Sequence, residues 1–161
     1  MGETENVSSS FDIDGVLRHD DFFKQNINET TADHTDGLFK FDTRSINNLN
    51  HIVEETGAKV VITSSWRLSW DVGELQTLFR YNKFNGEVID STPIYLESYT
   101  HDIPKGKEIQ DWLKKNEVEN YCIIDDCNDM LPEQEGHFIW VDDRHGLIES
   151  DAERAISILN S

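Results

Sequence analysis

Positive charge is scarce in this chain. Its 14 lysines and arginines stand against 32 aspartates and glutamates, a formal charge of −18 over 161 residues. A surface that acidic repels phosphate backbones and anionic bilayers. Broad non-specific nucleic-acid binding is therefore not expected, although a local phosphate site neutralised by metal is still allowed. Most of the charges read as a solvated, highly soluble surface. Cysteine is nearly absent: Cys122 and Cys127 make no disulfide framework, and reduced thiols in a cytosolic protein are the expectation. Long hydrophobic runs are missing, none approaching the roughly 20 residues that span a bilayer. Met1 to Ser10 shows no charged-then-apolar signal pattern. Repeats and low-complexity tracts are also lacking. The expectation is a soluble, cytoplasmic protein whose length fits one domain with a real core. Oligomeric state leaves no signature.

What is present is an alternation of short apolar runs with amphipathic stretches. Val7 to Phe11 is a candidate strand, weakened by Ser8, Ser9 and Ser10. Residues 18 to 40 are polar and irregular and read as a long excursion beside whatever site the chain builds. A helix follows, capped by Asp42 or Thr43 and ended by Gly57, with Ile46, Leu49, Ile52 and Val53 at helical spacing. Lys59 to Ile62 is β-branched. Asp71 to Tyr81 is helical, with Val72, Leu75, Leu78 and Phe79 inward. Glu87 to Ile89 is a short strand, and Pro93 to Ile103 is irregular. Lys105 to Asn116 is helical around Ile109, Trp112 and Leu113. Tyr121 to Ile124 and His137 to Val141 are strands. A capping box, Ser150-Asp151-Ala152-Glu153, opens a last helix that buries Ala155, Ile156 and Leu159. Short β-branched strands alternating with helices predict an α/β fold: a mainly parallel sheet covered on both faces, three layers in a Rossmann-like arrangement. Ligands of such folds bind outside the carboxyl ends of the strands.

Two acidic clusters sit at those ends. Asp12-Ile13-Asp14-Gly15-Val16 follows the first candidate strand, and Asp125-Asp126 follows Tyr121 to Ile124. Carboxylates gathered at strand ends repel one another unless a cation lies between them. Four brought together describe a hard, all-oxygen site for Mg²⁺.

In chain order, Phe11-Asp12-Ile13-Asp14-Gly15-Val16, Val60-Val61-Ile62-Thr63, Lys105-Gly106-Lys107-Glu108-Ile109 and Ile123-Ile124-Asp125-Asp126 resemble the four motifs of the haloacid dehalogenase-like (HAD) phosphohydrolase superfamily. The segments Val61 to Arg67 and Glu108 to Leu113 resemble, more narrowly, a small subgroup found alone or beside nucleic-acid repair enzymes. The resemblance implies a Mg²⁺-dependent phosphatase. In it Asp12 is the nucleophile that forms an aspartyl-phosphate, and Asp14 is the general acid and then the base. The metal is held by Asp12, Asp125 and Asp126, with the backbone carbonyl of Asp14 a further ligand. Thr63 and Lys105 meet the transferring phosphoryl oxygens, and Ser64 and Arg67 join them in binding substrate. The expected substrate is a phosphorylated small molecule, a nucleotide or a nucleic-acid end.

Several residues keep alternatives open. Asp129 is a reserve metal ligand or a helix-start cap. Lys107 competes with Lys105. Arg67 holds a substrate anion or pairs with one of the many surface carboxylates. Asp142 and Asp143 read as a strand-end turn, and Trp112 as core. His19, His34 and His101 lack metal-ligand spacing and read as exposed. Specificity is expected in residues 18 to 40 and around Trp66 to Trp70. The intervals from Gly15 to Thr63 and from Thr63 to Lys105 leave no room for a large cap domain, so the site should be open. A signalling receiver domain uses similar residues, but its acidic pair precedes the phosphorylated aspartate, and here the order is reversed. The serine-rich first strand leaves one other reading, a catalytically weak or inactive HAD-fold binding protein.

Overall fold

A computed structural model describes residues 7–11, 15–19, 39–100 and 102–161, the first five by backbone alone. The expectations for Asp12, Asp14, His34, His101 and most of the 18–40 excursion fall outside the described residues.

Five strands form one parallel sheet in the order β3-β2-β1-β4-β5. They are β1 (Val7–Phe11), β2 (Lys59–Ile62), β3 (Val88–Ser91), β4 (Asn120–Asp125) and β5 (Phe138–Trp140). The helices are α1 (Thr43–Thr56), α2 (Val72–Tyr81), a one-turn α3 (Leu96–Tyr99), α4 (Lys105–Lys115) and α5 (Glu149–Leu159), with 3₁₀ turns at Ser65–Leu68 and Pro132–His137. The fold is α/β, as the alternation predicts.

The serine-rich β1 lies at the centre of the sheet, with Ser8 to Phe11 paired to Lys59 to Ile62 on one side and Tyr121 to Ile124 on the other. Strand preference is set largely by neighbours. Two flanking strands of Val, Ile and Cys supply the apolar context that the serines lack. Val60 and Ile62 of β2, Cys122 and Ile124 of β4, and Ile139 of β5 pack with the inward residues of α1, α2 and α5 in one buried cluster. Val61, Ile123, Ile109 and Trp112 are buried outside that cluster. Trp112 also donates its indole N–H to Asp90 at 2.7 Å.

Helix ends follow local chemistry. Asp42 caps α1 by accepting from the Arg44 N–H, and Gly57 closes it in the left-handed region at φ 70°. Asp71 and Glu74 form a reciprocal capping box at α2. The last helix departs from expectation. It opens at Glu149, with the Asp151 carboxylate accepting from the Ile148 N–H at 3.3 Å, so the cap lies two residues before Ser150. The third strand runs to Ser91 rather than stopping at Ile89, because Val61 and Ile62 of β2 pair with Asp90 and Ser91 beyond a register shift. The Pro93–Ile103 stretch holds the single turn α3 where an irregular segment was expected.

Neither cysteine forms a disulfide; Cys122 is buried and Cys127 exposed. Burial pushes the Cys122 thiol up to about 12, and it is the thiolate that reacts. Alkylation of the native protein at pH 8 should therefore modify one equivalent rapidly and spare the second until denaturant is added. Cys127→Ser should remove the fast equivalent. Two fast equivalents in native buffer would mean that β4 is not an interior strand.

Candidate active site

Strand β1 ends at Phe11, the residue before Asp12 in the sequence, and Phe11 pairs with Ile62 and with Ile124. Thr63 and Asp125 each come one residue after those partners. The carboxyl ends of β2, β1 and β4 thus reach one level of the sheet, with strands about 4.8 Å apart. The chain is described again from Gly15. Val16 and Leu17 are fully buried there, and three contacts pin the turn: Asp42 N–H to the Leu17 carbonyl at 2.7 Å, Leu147 N–H to the Val16 carbonyl at 2.9 Å, and His19 Nε2 against the Asp42 carboxylate at 2.5 Å. His19 is buried rather than exposed, since its ring is used to hold this turn to the start of α1. Gly15 sits at φ 83°, and a Cβ there would collide with the Asp126 carboxylate. Only glycine combines that backbone with so close an approach of Asp126.

Asp125 is fully removed from water. Its Oδ2 accepts from the Lys105 ammonium at 2.6 Å and its Oδ1 from the Cys127 N–H at 2.9 Å. Lys107, the competitor, pairs with Asp111 at 3.1 Å. Lys105 is held in place by the base of its helix. The Asp129 carboxylate accepts from the Lys105 N–H at 3.1 Å, and the Asp129 carbonyl accepts from the Gly106 N–H at 3.0 Å. Asp129 starts no helix of its own; it satisfies the first N–H groups of α4 from a loop 24 residues away. A Cβ on Gly106 would strike Gln134 and Leu131, and Gln134 donates to the Gly106 carbonyl at 2.8 Å. The small residue after Lys105 is what lets the helix end seat so closely.

Thr63 is buried, and its hydroxyl has no hydrogen-bond partner among the described residues. Ser64 caps the 3₁₀ turn by accepting from the Trp66 N–H at 3.3 Å. Arg67 is turned inward. Its guanidinium donates to the Thr63 carbonyl, to the Thr92 hydroxyl at 2.9 Å and to the Glu108 carboxylate, with side chains only 4% and 1% exposed in the Arg67–Glu108 pair. The partner of Arg67 is a carboxylate, but a buried one rather than one of the surface carboxylates expected. The other oxygen of Glu108 accepts from the Tyr95 N–H at 3.0 Å. Trp66 and Trp70 pack against the core with ring centroids 5.6 Å apart. Asp142 is engaged by the Arg144 guanidinium, which holds its carboxyl well below the usual carboxylate range.

Sequence reasoning missed two residues. Glu108 stands three positions after Lys105 and beside Ile109 on the inward stripe of α4, and a carboxylate on a buried stripe signals a buried cation. Trp140 falls within the predicted strand His137 to Val141 and belongs to no site motif. The alternation of Ile139 and Val141 around it marks it as facing the other way.

The carboxylates of Asp125 and Asp126 and the Cys127 thiol offer three ligand atoms within 4.8 Å of one another. Two hard carboxylates beside one softer sulfur fit a hard divalent cation bound through oxygen. The sequence profile described as the HAD domain in Swiss Army Knife RNA repair proteins matches residues 11–152. The chain belongs to this family. No curated protein and no solved structure matches it. The HAD match spans all four motifs, from the residue before Asp12 to past Asp125-Asp126.

A buried guanidinium deprived of its carboxylate is left uncompensated. Glu108→Ala should cost about 3–5 kcal/mol, read from the urea midpoint, while Thr92→Ala should cost about 1 kcal/mol. Equal losses would mean that Arg67 depends on the hydroxyl as much as on the charge.

Proposed function

We propose that this protein is a Mg²⁺-dependent phosphomonoester hydrolase working through an aspartyl-phosphate on Asp12. We read the whole chain as one capless domain in three layers, α/β/α. The two separate sets of buried side chains support helices on both faces of the sheet. One observation carries the functional reading. Thr63 and the Asp125-Asp126 pair follow the two strands that flank β1, Lys105 bonds Asp125, and the residues after Phe11 in the sequence are Asp12 to Asp14.

Asp12, Asp125 and Asp126, with the Asp14 carbonyl, would hold the cation. Bound there, the metal supplies neutralisation of the phosphoryl charge that otherwise repels an attacking carboxylate. An Asp12 oxygen attacks phosphorus, and the bond from phosphorus to the leaving oxygen breaks. Asp14, protonated, gives its proton to that oxygen. A water then loses a proton to Asp14 and attacks phosphorus, breaking the bond to Asp12 and releasing inorganic phosphate. The Thr63 hydroxyl, buried and without a hydrogen-bond partner among the described residues, would donate to a phosphoryl oxygen. Lys105 contributes positive charge to the same group. Arg67 and Glu108 act behind these residues by fixing the Thr63 carbonyl relative to the helix that carries Lys105.

The family description supports a phosphate on a nucleic-acid end as substrate. The acidic surface argues that binding is confined to that end. Among the described residues no helix is long and apolar enough to cross a membrane.

An aryl phosphate assayed with and without Mg²⁺ tests the reaction. Turnover should require the metal and fall by at least a thousandfold in Asp12→Asn, and Lys105→Met should reduce kcat by about 10²–10³-fold. Turnover without metal, or an unimpaired Asp12→Asn, removes Asp12 from the mechanism. Small anionic substrates should bind better as salt rises, because the repulsion from a chain of −18 is screened. A KM climbing steeply with salt would instead reveal a basic substrate path.

A further inference from the structure

We propose that Trp140 is a stacking platform for the nucleobase next to the phosphate being removed, and so the residue that selects nucleotide and nucleic-acid ends over small aliphatic phosphates. This rests on the phosphatase reading and deepens it. Strands β4 and β5 are parallel, and Trp140 is the register partner of Asp125. Laterally paired residues of adjacent strands project from the same face of a sheet, about 4.8 Å apart. Ile139 and Val141 on either side are buried in the core cluster, so alternation along the strand sends Trp140 to the face that carries the Asp125 carboxylate. The Trp140 indole N–H donates to the Asp126 carbonyl at 2.9 Å. The ring is therefore anchored to the backbone of the acidic pair, yet the residue is 60% exposed.

An exposed indole fixed by its polar edge presents a flat apolar face whose ordering cost is already met on folding, which is the condition for a preorganised contact. Its neighbourhood selects the occupant. The carboxylates beside it disfavour an anion laid against the ring itself, and an aliphatic phosphate has nothing planar to lay there. A nucleobase is neutral and flat and stays tethered to its phosphate. Stacking tolerates every base because each has a π-face, so the preference is for a base without discrimination among bases. It also needs no positive charge, which is scarce in this chain. Salt should therefore alter this contact little.

Wild type, Trp140→Ala and Trp140→Phe are compared on glycerol phosphate and on a short phosphorylated oligoribonucleotide. Trp140→Ala should raise KM for the oligonucleotide roughly tenfold to a hundredfold, the size of one base–aromatic stack, with kcat held within about twofold. Its kcat/KM for glycerol phosphate should stay unchanged, and Trp140→Phe, which keeps a ring, should recover most of the loss. Equal losses on both substrates would show that the indole only supports the Asp126 backbone, and an unchanged oligonucleotide KM would show that nothing stacks there; either overturns the proposal. Binding is followed separately through the indole ¹H–¹⁵N resonance of Trp140, assigned by its absence in Trp140→Phe, in an Asp12→Asn background. The oligonucleotide should shift it and glycerol phosphate should not. A resonance that ignores the oligonucleotide and moves with protein concentration assigns the face to contact between copies and ends the proposal. Wild type that cleaves neither substrate defeats the phosphatase reading, while the resonance still decides the stack.

Discussion

A carboxylate at the end of an interior strand, wholly withdrawn from water, has to meet positive charge. Asp125 meets the Lys105 ammonium. Much of the edge is arranged so that this contact can form. The base of α4 must come within reach of β4, so Asp129 takes the first helical N–H, Gly106 removes the side chain that would hold the helix away, and Gln134 fills the space and bonds the Gly106 carbonyl. None of these residues needs to touch a ligand. Together they set one distance, and Asp126, packed against Gly15, ties the same strand end to the turn that leaves β1. Loosening any of them displaces a charged group at this edge, and in the proposed reaction such small displacements would cost rate more than binding.

Behind this edge lies a second ion pair of a different kind. Arg67 and Glu108 are both buried, and removing two such charges from water offsets most of their attraction. Their contribution is selective rather than stabilising. The guanidinium satisfies the Thr63 carbonyl and the Thr92 hydroxyl as well as Glu108, so only one relative placement of β2, β3 and α4 fills all its partners. That placement leaves the Thr63 hydroxyl buried and without a described partner. The strand that carries Thr63 and the helix that carries Lys105 are thereby locked together from the interior, away from solvent and salt.

How much of this was legible depends on how local the determinant is. Helix α1 could be read to its caps because Asp42, the Ile46–Val53 stripe and Gly57 all act within the segment. The sheet edge could be read because acidic residues follow apolar runs. Strand β1 was legible only in outline: its serines argue against a central strand, and its partners 51 and 113 residues away decide otherwise. Arg67 and His19 were harder still. Each is polar, each follows a site motif, and nothing nearby in the sequence reveals that Glu108 or Asp42 will be brought against it. Trp66 and Trp70, which bound one stretch where specificity is expected, are partly buried against the core, while the exposed indole beside the acidic pair comes from the far edge strand. Which tryptophan faces the site depends on strand register, which composition does not reveal.

The charge of the chain and the form of the site are linked. A protein at −18 cannot gather phosphates by long-range attraction. In the proposed reaction, neutralisation must therefore be local, confined to a cation among carboxylates and one lysine, and any further affinity must come from contacts indifferent to charge. A planar apolar face one strand away from Asp125 is such a contact. On the proposed reading, the same acidity that disfavours the body of a nucleic acid would leave the protein able to act where a single phosphate and a single base are presented together, at an end.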